Sequence, residues 1–368
     1  MTQTSASLQR LRDALPAMQA QRDALPADSV FRPSAMWKDL GDAFNFIFDL
    51  SDHHLQNIRI HTSLMTGVAW FANFQSNSFK SDEDKLSYPM IRQYHDLTCD
   101  IPERFWASEP SVTSVTEMVG IRYKGRLITD DLLRYQRCVS NLHWTGVYRW
   151  LDGMAERPVI VELGAGYGGL AHQIVSCFGR PCTYLIFDLP EMLYWSAAFL
   201  IVNNPGKRFH IDGGSDSSHA SLEDICAEND FVFLPSFKFD RIQELQEMAL
   251  FVNLMSFQEM SDRQIEMYLS LAAEQLKGPV FSENFSRHPA NQELAQMVDD
   301  HLARWFTLTP DPVLLHHRYP NANAFDNPDQ NLVWQLFPYV GTPKYSAVAL
   351  SPVDTIVIAG AANERIRL

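Results

Sequence analysis

The residues with the clearest chemical potential are Gly164, Gly166, Gly168 and Gly169, set in the run VIVELGAGYGGLAHQI at positions 159 to 174. A β-branched apolar run enters a glycine-rich turn, and a helix-forming stretch leaves it. Glycine tolerates positive φ and lets a ligand approach the backbone closely. The spacing satisfies both G-x-G-x-x-G and E-x-G-x-G-x-G, and the glycines alone leave both open. Asp188 stands twenty residues after Gly168, at the end of the apolar run Thr183 to Phe187, where a carboxylate can accept both hydroxyls of a ribose. Glu162 lies two positions before the first glycine. A carboxylate there repels a pyrophosphate and favours a cation, so S-adenosylmethionine, with its sulfonium and ammonium, suits the turn better than NAD. Bracing the turn's own amides is the alternative role for Glu162. No G-K-[ST] follows the glycines, which disfavours a nucleotide-hydrolysing P-loop.

A second group of polar residues, Asn253, Ser256, Gln258 and Glu259, follows the apolar run Leu250 to Leu254. That places them at the carboxyl end of a strand, where open α/β sheets bind ligands. Ser261 is positioned to cap the next helix and hold this turn firmly. If the ligand here is a hydroxyl, as the resemblance described below implies, a general base or a metal ion should help remove its proton. Glu259 is the first candidate, with bracing of the turn as its equal rival, and His288 is the second. His316 and His317 also follow strands of this half. Ser256, Gln258 and Asn284 are candidate acceptor contacts, Glu283 stands beside Asn284, and Leu189 and Asn253 join the donor-binding candidates. No metal site is expected. Asp299 with Asp300 and Asp326 with Asp329 read as solvated faces, and His54 and His61, seven apart on a helix, have poor ligand geometry.

These residues need a scaffold, and the 368-residue chain is long enough for one large or two ordinary domains. After residue 150 the apolar runs Val159 to Val161, Thr183 to Phe187, Leu250 to Leu254 and Val280 to Phe285 alternate with helical stretches. That rhythm predicts a doubly wound, mostly parallel α/β sheet. Arg208 to Ile211 and Phe231 to Leu234 both qualify as the third strand, and spacing does not choose between them. Ala347 to Ala359 is a candidate late strand.

The first 150 residues read as mainly helical. Trp37, Phe44, Ile47 and Phe48, then Leu55, Ile58, Met65 and Ala69, recur at helical spacing. Ile121 to Ile128, with Lys124-Gly125 inside, reads as a hairpin, and Thr129 as the cap of a helix carrying Leu132, Val139 and Leu142. The repeated RDALPA at 12–17 and 22–27 suggests a loosely held leader of short helices, each stopped by its proline. Trp37, Trp70, Phe71, Phe74, Trp106, Trp144 and Trp150 are expected mostly in the core, with one or two free to stack on an acceptor.

The chain has 30 basic and 44 acidic residues, a net charge of −14, which repels nucleic acid. No apolar run is long enough to span a bilayer and the N-terminus lacks an apolar signal stretch, so a cytoplasmic protein is expected. Five cysteines without a C-x-x-C pair read as reduced, mostly buried thiols.

Residues 158 to 285 resemble a class I S-adenosylmethionine-dependent methyltransferase, and more narrowly the bacterial sugar O-methyltransferase group. The match is carried by VELGAGYGGLAHQI (161–174), IFDLPEML (186–193) and VNLMSFQEMSDRQIEMYL (252–269), with weaker support from HHLQNIR (53–59) and FLPSF (233–237). The resemblance implies that Glu162, Gly164, Gly166 and Gly168 hold the methionine end of the donor and Asp188 its ribose. It places Leu234, Pro235 and Ser236 near the adenine. The expectation is a Rossmann-like domain over 151–368 that binds S-adenosylmethionine, with a mainly helical domain over 1–150 as lid or dimer surface. The reaction expected is methylation of a hydroxyl on a small-molecule sugar or glycan, in a possible homodimer, without nucleic-acid or membrane partners. A nitrogen or carboxylate acceptor, an NAD-dependent dehydrogenase and a non-catalytic donor-binding protein are the alternatives.

Overall fold

The computed structural model describes residues 3–62, 65, 79–110, 120–213, 220–288, 290–308, 336–344, 356–357 and 365–366. Its N-terminus corrects the expectation of a loose leader. Leu8, Leu11, Leu15 and Met18 form one stripe, and a single helix α1 (Gln3–Asp23) runs through Pro16 with that stripe buried. A proline inside a helix costs about 3 kcal/mol, whereas fully burying each large apolar side chain returns roughly 1.5–3 kcal/mol. The stripe lies against the helix Pro190–Asn203, so burial wins at Pro16. The helix stops before the second copy's proline.

Trp37 begins no long helix either. The chain forms α2 (Ala35–Leu40), capped by Ser34, then a 3-10 stretch Gly41–Asp49 and short turns at Asp52–Gln56 and Ile58–Ile60. Pieces this short hold only by tertiary contact, here Phe44 and Phe46 against Trp195 with ring centroids 6.4 and 5.5 Å apart. Ala69 lies outside the described residues.

The hairpin forms as expected from β1 (Ile121–Tyr123) and β2 (Arg126–Ile128). Lys124 and Gly125 both take positive φ, 46° and 78°, as a two-residue loop that follows the strand twist requires. Thr129 then caps α3 (Asp130–Trp144), accepting from the Leu132 amide at 3.3 Å.

The main sheet has eight strands: β3 (Val159–Leu163), β4 (Thr183–Asp188), β5 (Phe209–Ile211), β6 (Phe231–Pro235), β7 (Leu250–Leu254), β8 (Val280–Phe285), β9 (Phe306–Leu308) and β10 (Leu336–Pro343). Their order is β5-β6-β4-β3-β7-β8-β10-β9, parallel throughout except for β10, which runs antiparallel to both its neighbours. Phe231–Pro235 is the third strand, beside β4, and Phe209–Ile211 is an added edge strand outside it. Leu336–Pro343 is a late strand of the main sheet, and of the candidate run Ala347 to Ala359 only Ile356–Val357 falls among the described residues. Of that run, Ile356–Val357 pairs with Arg365–Ile366 in a separate ladder.

Helices α4 (Gly169–Phe178), α5 (Pro190–Asn203) and α6 (Asp262–Gln275) flank the sheet, α6 opening with a capping box from Ser261 and Gln264. One hydrophobic cluster covers one face and extends without a break from Leu8 through α3 and α5 to Val340. A second covers the other face and includes Ile265 and Leu269 of α6. Cys99 is exposed and the other four cysteines are buried, and none is joined in a disulfide among the described residues. Among the described residues, no helix is long and apolar enough to cross a membrane.

Candidate active site

The order of strands reverses at β3, with β4 on one side and β7 on the other. Such a switch opens a crevice at the carboxyl ends of the strands. The glycine turn lies there. Gly164, Gly166 and Gly168 have φ of 77°, 57° and 84°. A Cβ on Gly164 would fall 2.0 Å from Ser256 Oγ, so Ser256 occupies the space that glycine leaves. The Gly164 amide donates to the Phe187 carbonyl at 2.8 Å, tying the turn to β4. On its other side, a Cβ on Gly169 would meet the Tyr135 ring of α3 at 2.5 Å.

Beneath the turn, Tyr167 lies 5.0 Å from the Arg59 guanidinium. Arg59 is buried and pairs with Glu109 at 2.7 Å and Asp131 at 3.0 Å. A buried cation is retained only with such partners. The network therefore locks the helical N-terminal part to the turn.

Three carboxylates line the resulting cavity of about 170 Å³: Glu162, Asp188 and Glu259. Burial pushes Glu162 up to about 8, with the Tyr184 hydroxyl donating to it at 3.0 Å in opposition and Asp188 adding to the rise. Burial likewise pushes Asp188 up to about 7 against the Leu189 and Gly166 amides, which donate at 2.8 and 3.1 Å. Glu259 is pushed up to about 8, opposed by Trp37 Nε1 donating at 2.7 Å and reinforced by Asp188. Three acids thus share one cavity in which burial, with a smaller contribution from their mutual repulsion, disfavours the ionised forms.

The structure separates the sequence candidates into those at the cavity and those behind it. Glu162, Gly164, Gly166, Asp188, Leu189, Ser256 and Glu259 line it. Gly168 sits one turn back, against Leu200 and Ser196. Asn253, Gln258 and Asn284 are corrections, because their amides are buried and already used. Asn253 donates to the Leu163 carbonyl at 2.8 Å and accepts from Asn284 at 2.9 Å. Gln258 Oε1 accepts from the Phe285 backbone amide at 2.7 Å, and the Gln258 backbone N–H donates to Asn284 Oδ1 at 3.4 Å. They brace the Ser256–Glu259 turn instead of facing a ligand. Glu283 is buried in an ion pair with Arg137.

His288 also departs from its expected place. It follows β8, near the Phe285 ring, outside the cavity lining, and burial lowers its pKa. His316, His317, Trp70, Phe71, Phe74, Asp326 and Asp329 lie outside the described residues. Among the described residues, no group of three or more His, Cys, Asp or Glu is gathered to hold a metal ion.

Several lining residues escaped the sequence reading. The segment Phe31–Trp37 crosses the cavity and is tied down by Ser34 Oγ donating to the Glu259 carbonyl at 2.7 Å and by Gln264 Nε2 donating to the Arg32 carbonyl at 2.8 Å. Among the aromatics singled out by sequence, Trp37 is at the cavity, while Trp144 is buried and Trp150 bonds the Ala249 carbonyl. Met255 lines it with φ of 53°, strained for a side chain of this size, its amide held by the Glu283 carbonyl at 2.8 Å. Arg134 and Tyr135 enter from α3. Nothing in local sequence distinguishes an inward arginine on an amphipathic helix from a solvated one.

No family model matches the chain, and no curated protein matches it. Among solved structures, an O-methyltransferase family protein from Burkholderia thailandensis is 10% identical, with a TM-score of 0.36 and coverage of 71% of this chain and 72% of that one. The pyocyanin biosynthetic protein PhzM is 11% identical, at a TM-score of 0.30 and the same coverages. A methyltransferase in complex with the activator Trm112, from Haloferax volcanii, is 14% identical over 59% of this chain and 95% of that one, at a TM-score of 0.31. Similarity of this degree leaves the functional argument to the topology and the residues.

Proposed function

We propose that the protein is an S-adenosylmethionine-dependent methyltransferase acting on a hydroxyl of a sugar or glycosylated metabolite. The observation that carries the reading is the convergence of Glu162, Asp188 and Glu259 on one cavity at the glycine turn, each held short of full ionisation by burial. Such a site is completed by a cationic ligand. A dinucleotide would bring a pyrophosphate into it.

In this reading Glu162 holds the cationic methionine end, and the backbone of Gly164 and Gly166 allows its close approach. Asp188, oriented by the Leu189 and Gly166 amides, takes the ribose hydroxyls. When bound, the donor supplies a methyl group: the acceptor oxygen attacks its carbon in line while the carbon–sulfur bond breaks, the electron pair remaining on sulfur. Glu259, fixed by Trp37, takes the proton that the acceptor oxygen loses. The loss of positive charge beside it raises its proton affinity in the same step, so carboxylate and cation are neutralised together in a low-dielectric cavity. Asn253, Gln258 and Asn284 hold the Ser256–Glu259 turn in register, which matters because displacement depends on alignment.

The test is calorimetry with S-adenosylmethionine and with NAD, followed by mass spectrometry of a panel of sugars, nucleotide sugars and glycans incubated with labelled donor. Donor binding and a labelled sugar hydroxyl are expected. Binding of NAD alone refutes the reading, and a label on nitrogen or carboxylate replaces the acceptor class.

A further inference from the structure

Resting on that reading, we infer that Arg134 anchors the α-carboxylate of the donor's methionine, opposite Glu162 at its ammonium. Among the described residues, the arginines that line the cavity are Arg32 and Arg134. Arg59 is committed to Glu109 and Asp131, and Arg137 to Glu283. Arg32 is held by backbone carbonyls, its Nε donating to Pro26 at 2.9 Å. Arg134 lines the cavity, and its Nε is buried with no hydrogen-bond partner. A guanidinium presents its donors in a fork that matches a carboxylate. One left unpartnered beside a cavity is a binding group in waiting.

Its place in the fold specifies which anion. The neighbouring Tyr135 packs edge-on to Tyr167, ring centroids 6.0 Å apart, and against Gly169, so this turn of α3 lies over the glycine turn. The Ser236 and Tyr268 side of the cavity is formed by other elements. Arg134 and Glu162 both line the cavity, together with Gly164, Gly166 and Tyr167 of the glycine turn. A cation and a carboxylate therefore flank the glycine-turn end of the cavity. That polarity fits a zwitterionic amino acid. The methionine carboxylate is the donor's one anionic group, so no other part of it satisfies the guanidinium.

The test is calorimetry on the full chain with two neutral-sulfur ligands, S-adenosylhomocysteine and its decarboxylated analogue, against wild type, Arg134→Met and Arg134→Lys. Wild type is expected to prefer the carboxylate-bearing ligand. Arg134→Met should weaken that ligand about 10- to 100-fold, the worth of a charge-assisted hydrogen bond, while leaving the decarboxylated analogue unchanged. Arg134→Lys should recover part of the loss. Equal weakening of both ligands, or no weakening of either, overturns the inference. Should Arg134→Met fail to fold, a wild type that binds both ligands equally overturns it as well. A wild type that binds neither removes the donor reading itself, a separate result.

Discussion

Replacing Glu162 with glutamine keeps the volume and an acceptor for the Tyr184 hydroxyl but removes a charge and a proton site. In the free protein, a rise from 4.5 to about 8 places a penalty on the order of 5 kcal/mol on the ionised side chain. The folded pKa is above the unfolded one, so the folded state binds the proton more tightly. The associated stability is complete below about pH 4.5 and disappears as pH rises through about 8. Thermal melts of the free protein from pH 5 to 9 should therefore show wild type losing ground to E162Q as pH rises, the variant being the more stable at pH 9. Ligand binding should move the opposite way. A cationic donor needs Glu162 ionised, so wild-type affinity should rise between pH 6 and 8 with release of a proton. Calorimetry in two buffers of different ionisation enthalpy measures that release. E162Q should bind the donor about 10- to 100-fold more weakly, the equivalent of roughly 1.5–3 kcal/mol for a charge-assisted contact, and without the proton release assigned to Glu162. Equal donor affinity in variant and wild type, or parallel melting curves across the pH range, would refute the assignment of Glu162 as the charge that recruits the ligand.

Glu259→Gln should lower kcat by about 10²- to 10⁴-fold and remove the acid limb of its pH profile, with a loss of donor affinity smaller than that of E162Q; single-turnover kinetics and calorimetry separate the two. Gly164→Ala drives a Cβ to 2.0 Å from Ser256 Oγ at φ of 77°, so donor binding should be lost and stability reduced by about 1–3 kcal/mol in denaturant titration. Arg59→Met strands Glu109 and Asp131 in the interior, and urea unfolding should show a loss of roughly 3–5 kcal/mol. Since the same network supports Tyr167, donor affinity should weaken with it.

Local signals in the chain were sufficient where backbone chemistry is decisive. The run from Val159 into Gly164 could only be a strand entering a tight turn, and Asp188 and Ser256 followed strands whose apolar runs were unmistakable. Lys124-Gly125 read correctly as a hairpin turn, and Ser261 as a cap, because positive φ and orphan amides demand particular residue types. The same local logic failed at Pro16, where burial of Leu15 and Met18 outweighed the broken hydrogen bond, and in the stretch from Trp37 to Ile58, where helical spacing produced short turns stapled to Trp195.

The amino-acid sequence by itself determined the α/β alternation, the glycine turn and the placing of Glu162 and Asp188 toward the ends of their strands, since each depends on neighbours a few positions away. Only the tertiary structure decided that Asn253, Gln258 and Asn284 spend their side-chain amides on nearby backbone and on each other, that His288 lies outside the cavity lining, and that Trp37 and Arg134 enter the cavity from the N-terminal helices. Whether a polar side chain is consumed or left available depends on partners distant along the chain, such as the 222 positions between Trp37 and Glu259. A buried group must satisfy its hydrogen bonds with whatever the fold brings to it, and that is settled in three dimensions.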